Sequence, residues 1–326
     1  MLTRRRLMQL SLASTVGSQL GSTSAHAEAW PNRHVRLIVP FAAGGAMDTT
    51  ARIIGTRLSE IWGRQVVIEN KSGAATNIGA EYVARSAPDG YTLYLTSFSH
   101  ATNRFLYPSL SYDPIADFMP VTLIGIFPNI MVVPVSSPAR TVNEFIAFAK
   151  ANEGKVKYAS SGHGTSLHLA AELLQRMAGI KMTHIPYRGG GPAFNDLIPG
   201  RVDVMINLTV ASLPLVRNGQ LRALGVTTAK RLPAEPKLPT VSESLPGFEV
   251  SSWAALFLPA KTPSSLVQRI HADTISVLAE PAIKQRLEGL GVVVIGSTPD
   301  ELAAHLKGEM DKWGPIIKQA GITLRN

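Results

Sequence analysis

Short apolar runs of strand length alternate with stretches of helical period along almost the whole chain, and no other feature limits the fold as much. A strand that leads into a helix and then into another strand must cross over a sheet. Repetition of that unit therefore predicts an α/β fold with mainly parallel sheets. Residues 35–40 read as the first strand. A helix follows over about 47–62, with Ile53, Ile54, Leu58, Ile61 and Trp62 as its inner stripe. Strand 66–69, a helix near 78–85, the turn Pro88-Asp89-Gly90 and strand 91–96 complete this series.

A second series starts near Ile130. It contains strands at 130–134, 156–160, 182–186, 202–206 and 221–227, and helices at 142–151, 165–178 and 192–198. The run SSWAALFLP (251–259) reads as an extended crossing back. Helices over 263–279, 281–290 and 299–320 follow, with a strand at 292–295. This tail has too few strands for its own sheet, so it is expected to complete the first domain. The expected domains are 28–129 with 252–326, and 130–251 inserted between them. Two α/β lobes joined by a double crossover enclose a central cleft.

Residues 1–27 stand apart. Arg4-Arg5-Arg6 lead a moderately apolar run that ends in Ala25-His26-Ala27, the pattern of a secretory signal peptide cut after Ala27. No later segment offers the roughly 18 apolar residues of a membrane span, so the exported chain is expected to be soluble and periplasmic. The chain has no cysteine, which excludes thiol catalysis and cysteine–metal sites. Of the formal net charge of +9, three units belong to Arg4–Arg6. The remaining cations are scattered singly among acids with no aromatic interleaving, which argues against a nucleic-acid partner.

Three turns draw attention to the cleft. FAAGGA (41–46), SGAATN (72–77) and SSGHGT (160–165) each follow a strand and precede a helix. Their small residues let a ligand approach the main chain, and the free N–H groups of a helix's first turn favour an anion such as a carboxylate. Taken singly, any of them could be only a tight turn. Asp48 reads either as a helix cap or as a ligand contact. The phosphate-loop and dinucleotide fingerprints, GxxxxGK[ST] and GxGxxG after a strand, are missing.

The segments VPFAAGGAMD, IENKSGAATNIGAE, PDGYTLYL, LSYDPIADFMPVTLIG, SSGHGTSLHLAAELL, HIPYRGGGPAFNDLIPGRVDVMI, LRALGVTTAKR and LPTVSESLPGFEV occur in this order. Together they resemble the solute-binding proteins of tripartite tricarboxylate transporters, the Bug family, from about Trp30 to the end. The resemblance implies a two-lobed periplasmic binding-protein fold of type II-like organisation. It further implies a receptor for a small carboxylate, delivery to integral membrane permease subunits, a monomer, no cofactor and no turnover. It carries ligand-binding roles to Phe41, Ala43, Gly44 and Asp48, and to Gly73, Ala74, Ala75, Thr76 and Asn77. Ser97 follows the third strand, and the second lobe supplies Ser160, Ser161, Gly162, Thr165, His168, Asp203 and Asn207. Ala43 stands where the family often has proline, Ala75-Thr76 where it often has Gly-Gly, and Asn207 where an acid is also seen.

Two rival chemistries arise from the same residues. A secreted hydrolase would use the Ser/His cluster at 160–168, but Gly162-His163-Gly164-Thr165-Ser166 is not a GxSxG nucleophile elbow. A metal could sit on His168 and Glu172, four apart on one helix face, with His163 ahead of them; a polar helix face is the simpler account. Arg188 in YRGGG could clamp an anion or lie in a solvated turn. Trp253 and Phe257 read as core or hinge packing and not as a ligand platform.

Overall fold

The computed structural model describes residues 30–187 and 189–324; the signal-peptide assignment and the Arg188 clamp fall outside the described residues. Residues from Arg33 onward form one compact unit. Its first sheet places β1 (Val35–Val39) between β2 (Val66–Asn70) and β3 (Thr92–Ser97), all parallel. The crossovers are α1 (Ala46–Trp62) and α2 (Asn77–Ala84), and β3 leads into α3 (Ser99–Leu106).

Beside β3 lie two long strands of opposite direction. β4 (Phe118–Pro134) has 17 residues, and its first part pairs antiparallel with β9 (Ser251–Pro259). Its second part, from Asn129, pairs antiparallel with β7 (Val204–Leu208) and β8 (Leu221–Val226). On the far side of β7 come β5 (Lys157–Ser160) and β6 (Thr183–Pro186), parallel to each other and to β7. Helices α4 (Val142–Ala151), α5 (Ser166–Ala178), α6 (Gly190–Leu197) and α7 (Thr209–Arg217) complete this second half.

The sequence reading placed a strand only at 130–134, with the remainder of β4 unassigned. Pro120, Gly125 and Pro128 interrupt the pattern there. Register shifts at Pro120/Thr122 and Leu123/Gly125 let the strand absorb them without breaking. The reading also omitted α3 and α7, short helices rich in Ser, Thr and Asn or interrupted by Pro214. Ile61, assigned to the inner stripe of α1, is 40% exposed; Ile53, Ile54, Leu58 and Trp62 are buried.

The C-terminal segment returns to the first sheet. β10 (Val293–Val294) pairs antiparallel with Gly125 and Ile126 of β4. α8 (Ser264–Ala279) packs on α1 and β4, α9 (Pro281–Gly289) on α1 and α8, and α10 (Pro299–Ala320) on α3 and β4. Thr298 caps α10 reciprocally with Glu301, and Gly321 ends it in the left-handed region. The sheet itself demands a glycine at 125. A Cβ there would lie 2.4 Å from the Val293 carbonyl oxygen. Gly125→Ala is therefore expected to destabilise the protein by at least about 2 kcal/mol through backbone displacement, read as a lower urea midpoint with an unchanged m-value.

Candidate functional site

The directions of the strands decide where a ligand can be held. β1, β2 and β3 end at the same edge of the first sheet, and β5, β6 and β7 end at the facing edge of the second. A cavity of about 290 Å³ opens between these carboxyl ends, at the low end of the range for small-molecule sites. Phe41, Ala46 and Met47 come from the β1–α1 turn, Ala75 and Thr76 from the β2–α2 turn, and Ser97, Phe98 and Ser99 from the β3–α3 turn. The second lobe contributes Ser161, His163, Gly164 and Thr165 with the start of α5. Phe127, Ser252 and Trp253 come from the crossing strands β4 and β9, and Leu208 from the end of β7.

Each first-lobe turn is held open by a different device. At the first, the helix cap Gly45 makes no side-chain capping bond. Asp48 is instead the third helical residue and turns back into the loop. It accepts from the Gly44 amide at 2.8 Å, from Asn70 Nδ2 at 2.9 Å, and from Arg52 through two bonds of 2.9 and 3.0 Å. Arg52, followed by the Gly44 and Asn70 bonds, holds the Asp48 carboxyl down at about 2 against the opposing effect of burial. At 2% exposure it organises the turn from behind and has no free acceptor for a ligand. Ala43 and Gly44 are exposed and stand outside the cavity, and the Gly44 amide is consumed.

The second turn carries backbone strain. Gly73, Ala74, Ala75 and Thr76 all have positive φ, at 130°, 44°, 48° and 83°. Left-handed non-glycine residues cost on the order of 1 kcal/mol or more each, and persist only where the surroundings impose them. Asn103 of α3 imposes them here. Its Nδ2 donates to the Ala75 carbonyl and to Asn77 Oδ1, each at 2.7 Å, and Tyr112 donates to the same Asn77 oxygen at 2.8 Å. Thr76 donates to Ser99 Oγ at 2.9 Å, tying the second turn to the third. Asn77 thus braces the loop from inside. A Cβ on Gly73 would meet Ile78 Cδ1 at 2.5 Å, so a side chain there would distort the turn before it met any ligand.

The third turn was not foreseen beyond Ser97. Phe98 precedes α3 without a side-chain cap, and Ser97-Phe98-Ser99 repeats the pattern of strand, small hydroxyl residues and helix start. That signal was available in the sequence. It was obscured because SHATNRFL has weak helix propensity.

In the second lobe the loop after β5 is bonded mainly to itself. Ser160 is wholly buried, and its Oγ lies 2.6 Å from His184 Nε2. The Gly162 amide donates to Ser160 Oγ at 3.2 Å, and the Gly164 amide to His168 Nδ1 at 3.1 Å. Thr165 caps α5 by accepting from the His168 amide. His168 is 3% exposed and acts through this loop, while His163 lines the cavity in its place. Asp203 is not brought to the site: it sits at the opposite end of β7 and accepts from the Lys157 amide at 2.7 Å. Asn207 is buried beside Gly190, outside the cavity lining. Trp253 is 1% exposed, yet lines the cavity, and its indole donates to Glu309 at 3.2 Å. Phe257 lies in the core.

His163, His168 and His184 form a cluster in which one ring nitrogen of each lies within 4.8 Å of the others. The rings of His168 and His184 are stacked, with centroids 4.1 Å apart and planes inclined by 12°. Coordinating lone pairs lie in the ring planes, so two stacked imidazoles do not converge on one ion. His168 Nδ1 is also occupied by the Gly164 amide. The Ser160–His184 pair likewise has no access to a substrate, because Ser160 is sealed from the cavity.

With this geometry in view, the comparisons with known proteins converge. Residues 50–322 match the model of the tripartite tricarboxylate transporter family receptor. The chain belongs to that family. The structure of R. palustris Rpa4515 with adipate is 39% identical, with a TM-score of 0.79, and the match covers 90% of this chain and 99% of that one. Periplasmic binding protein BugD gives 34% identity and 0.76 over 91% and 100%. MatC from Rhodopseudomonas palustris with bound malate gives 33% and 0.76 over 88% and 100%. The family receptor has the two-lobed fold of these periplasmic binding proteins.

The histidines give the protein an acid sensitivity. Burial, together with the neighbouring imidazoles, pushes His168 down to about 3 and His184 down to about 4, and burial pushes His100 down to about 4. An unfolded histidine takes its proton near 6.5, so between about pH 6.5 and pH 4 the unfolded chain binds more protons than the fold. Stability is thus expected to be complete above about pH 6.5 and to fall as the pH drops toward 4. Differential scanning fluorimetry across this range should show the decline, and His184→Gln should make it shallower; a slope unchanged by that variant contradicts the assignment.

Proposed function

We propose that this family receptor is exported to the periplasm, captures a small carboxylate between its lobes, and hands it to membrane permease subunits without chemical turnover. One observation carries the reading: three helix starts on the first lobe reach the cavity, and the caps at Gly45, Thr76 and Phe98 make no side-chain capping bond. The first-turn amides of a helix have no acceptors in its regular bonding pattern; those of Asn77 and Ala101 here already donate to the Ala74 and Phe98 carbonyls, so the donors for a ligand lie among the remaining ones. Together with the positive end of the helix dipole they favour an anionic group, and the cavity hydroxyls of Ser97 and Ser99 add donors. The adipate and malate held by Rpa4515 and MatC support the carboxylate class. Among the described residues no helix is long and apolar enough to cross a membrane, which agrees with a receptor that meets its permease from outside. The lobe boundaries that suit this function are 28–129 with 252–326 and 130–251, with the hinge where β4 and β9 pass between them. The buried Ser160 disfavours hydrolysis as a second activity.

Ala46 offers the sharpest test, because it opens α1 and lines the cavity. An acid at a helix start stabilises the helix by about 0.3–1 kcal/mol, but it would repel a bound carboxylate. Ala46→Asp is expected to melt no lower than the wild type while its affinity for carboxylates falls at least 100-fold. Calorimetric titration with the strongest hit of a mono-, di- and tricarboxylate screen measures this. Undiminished binding by the folded variant removes the helix starts from the site.

A further inference from the structure

Helix α10 packs on α3 and β4 of the first lobe, yet it and the segment after it also meet the second lobe. Lys312 donates to the Glu249 carbonyl just before β9, at the crossing itself. Farther along the helix, Arg176 of α5 donates to Gln319. The third contact lies beyond the helix. Gly321 ends α10 in the left-handed region, and the Ile322 amide donates back to the Ile317 carbonyl at 3.2 Å. The Leu324 amide then donates to the carbonyl of Leu106, the last residue of α3, at 2.7 Å. This bond brings the Leu324 side chain onto Gly164 of the second-lobe loop. A Cβ on Gly164 would lie 2.9 Å from Leu324 Cδ1 and 3.0 Å from Leu106 Cδ1, so both leucines pack directly on its backbone.

Gly164 is also part of the cavity. It is buried, it lines the space between the lobes, and its amide donates to His168 Nδ1 at 3.1 Å. We infer that Leu324 is a positioning residue for ligand binding: it latches the 160–165 loop of the second lobe to the end of α3 and so keeps the lobes together over a bound acid. The inference rests on the receptor reading above and adds to it a residue that slows release. Swinging the second lobe away would strip Gly164 from both leucines and return their methyl surface to water. A contact made in the closed arrangement and lost in the open one shifts the population toward closure. Glycine suits position 164 on two counts. Its φ of 73° is left-handed, which glycine adopts without strain, and its missing side chain leaves the backbone open to the methyl groups. Leu324 is not among the residues that line the cavity, so its effect on a ligand passes through the loop.

Leu324→Ala, with Leu324→Met as the conservative variant, tests the latch in the full chain. Stopped-flow fluorescence with adipate, malate, citrate and benzoate as probes separates association from release, and Trp253 in the lining supplies the signal. For the acids that bind, Leu324→Ala is expected to release at least about fivefold faster with association changed less than about twofold, and Leu324→Met to restore slow release. In the unliganded protein, hydrogen exchange over residues 160–168 should quicken at least about threefold in Leu324→Ala, while exchange over β1 stays as in the wild type. Unchanged release from protein that binds, or unchanged exchange over 160–168, overturns the latch. Faster exchange confined to α10 does the same, because it marks Leu324 as packing for the helix end alone. If no carboxylate in a wider panel binds, the carboxylate reading fails by itself, and exchange over 160–168 decides the latch.

Discussion

A single strand shared by two sheets fixes where a ligand can be held. In its first part β4 runs in the same direction as β3, with antiparallel β9 between them. In its second part it runs against β7 and therefore against β5 and β6. The parallel strands of both lobes consequently end toward the middle of β4. Through β9, Ser97 at the end of β3 is level with Gly125, and Leu208 at the end of β7 pairs with Asn129. Four residues of strand at about 3.3 Å each separate these levels, a gap of roughly 13 Å. That distance admits a small molecule and little else. A ligand crevice outside the carboxyl ends of the strands is the rule for open α/β sheets; here two such edges face each other across one continuous backbone.

Much of the rest of the site keeps first-turn amides clear of side-chain caps at that gap, although those of Asn77 and Ala101 already donate to the Ala74 and Phe98 carbonyls. A first-turn N–H cannot bond within its helix, and most helices cover the deficit with a Ser, Thr, Asp or Asn cap. α10 does so with Thr298, and α4 with Thr141. The helix starts of the first lobe that reach the cavity omit the cap. Missing caps are not confined to the cavity, because Gly189, Pro263 and Glu280 also precede helices without a side-chain capping bond. The stabilisation lost at these starts is offset behind them, by the Asp48–Arg52–Asn70 cluster and by Asn103 and Tyr112 on the second turn.

Much of this was legible in the sequence, for identifiable reasons. Strands near 35–39 and 66–70 and helices over 46–62 and 264–279 carry a strong apolar period, and period survives any tertiary context. The small-residue turns at 41–46, 72–77 and 160–165 were likewise visible as glycine and alanine between a strand and a helix. What stayed hidden depends on contacts distant in sequence. The imidazole of His184 stacks on that of His168, sixteen residues away on another element, and no spacing rule relates them. Trp253 and Phe127 enter the cavity lining because the crossing strands β9 and β4 pass there, although Trp253 reads as core or hinge packing in the sequence. Asp48 and Asp203 were legible as acids near turns. Whether an acid faces a ligand or ties up its own loop depends on the positions of Arg52, Asn70 and the Lys157 amide, which only the folded chain supplies.

Holding an anion by fixed dipoles has a physical consequence for recognition. An arginine follows its partner on a flexible stem, so it tolerates ligands of different length. Main-chain amides are immobile, and their direction is set by turns that are themselves braced, most of all by the left-handed run from Gly73 to Thr76. Such donors stabilise a carboxylate only at one place, and they lose little conformational entropy in doing so. Discrimination among acids then falls to the other side of the cavity, which the second lobe lines with Ser161, His163, Thr165 and Ser166 as well as Leu167 and Leu208.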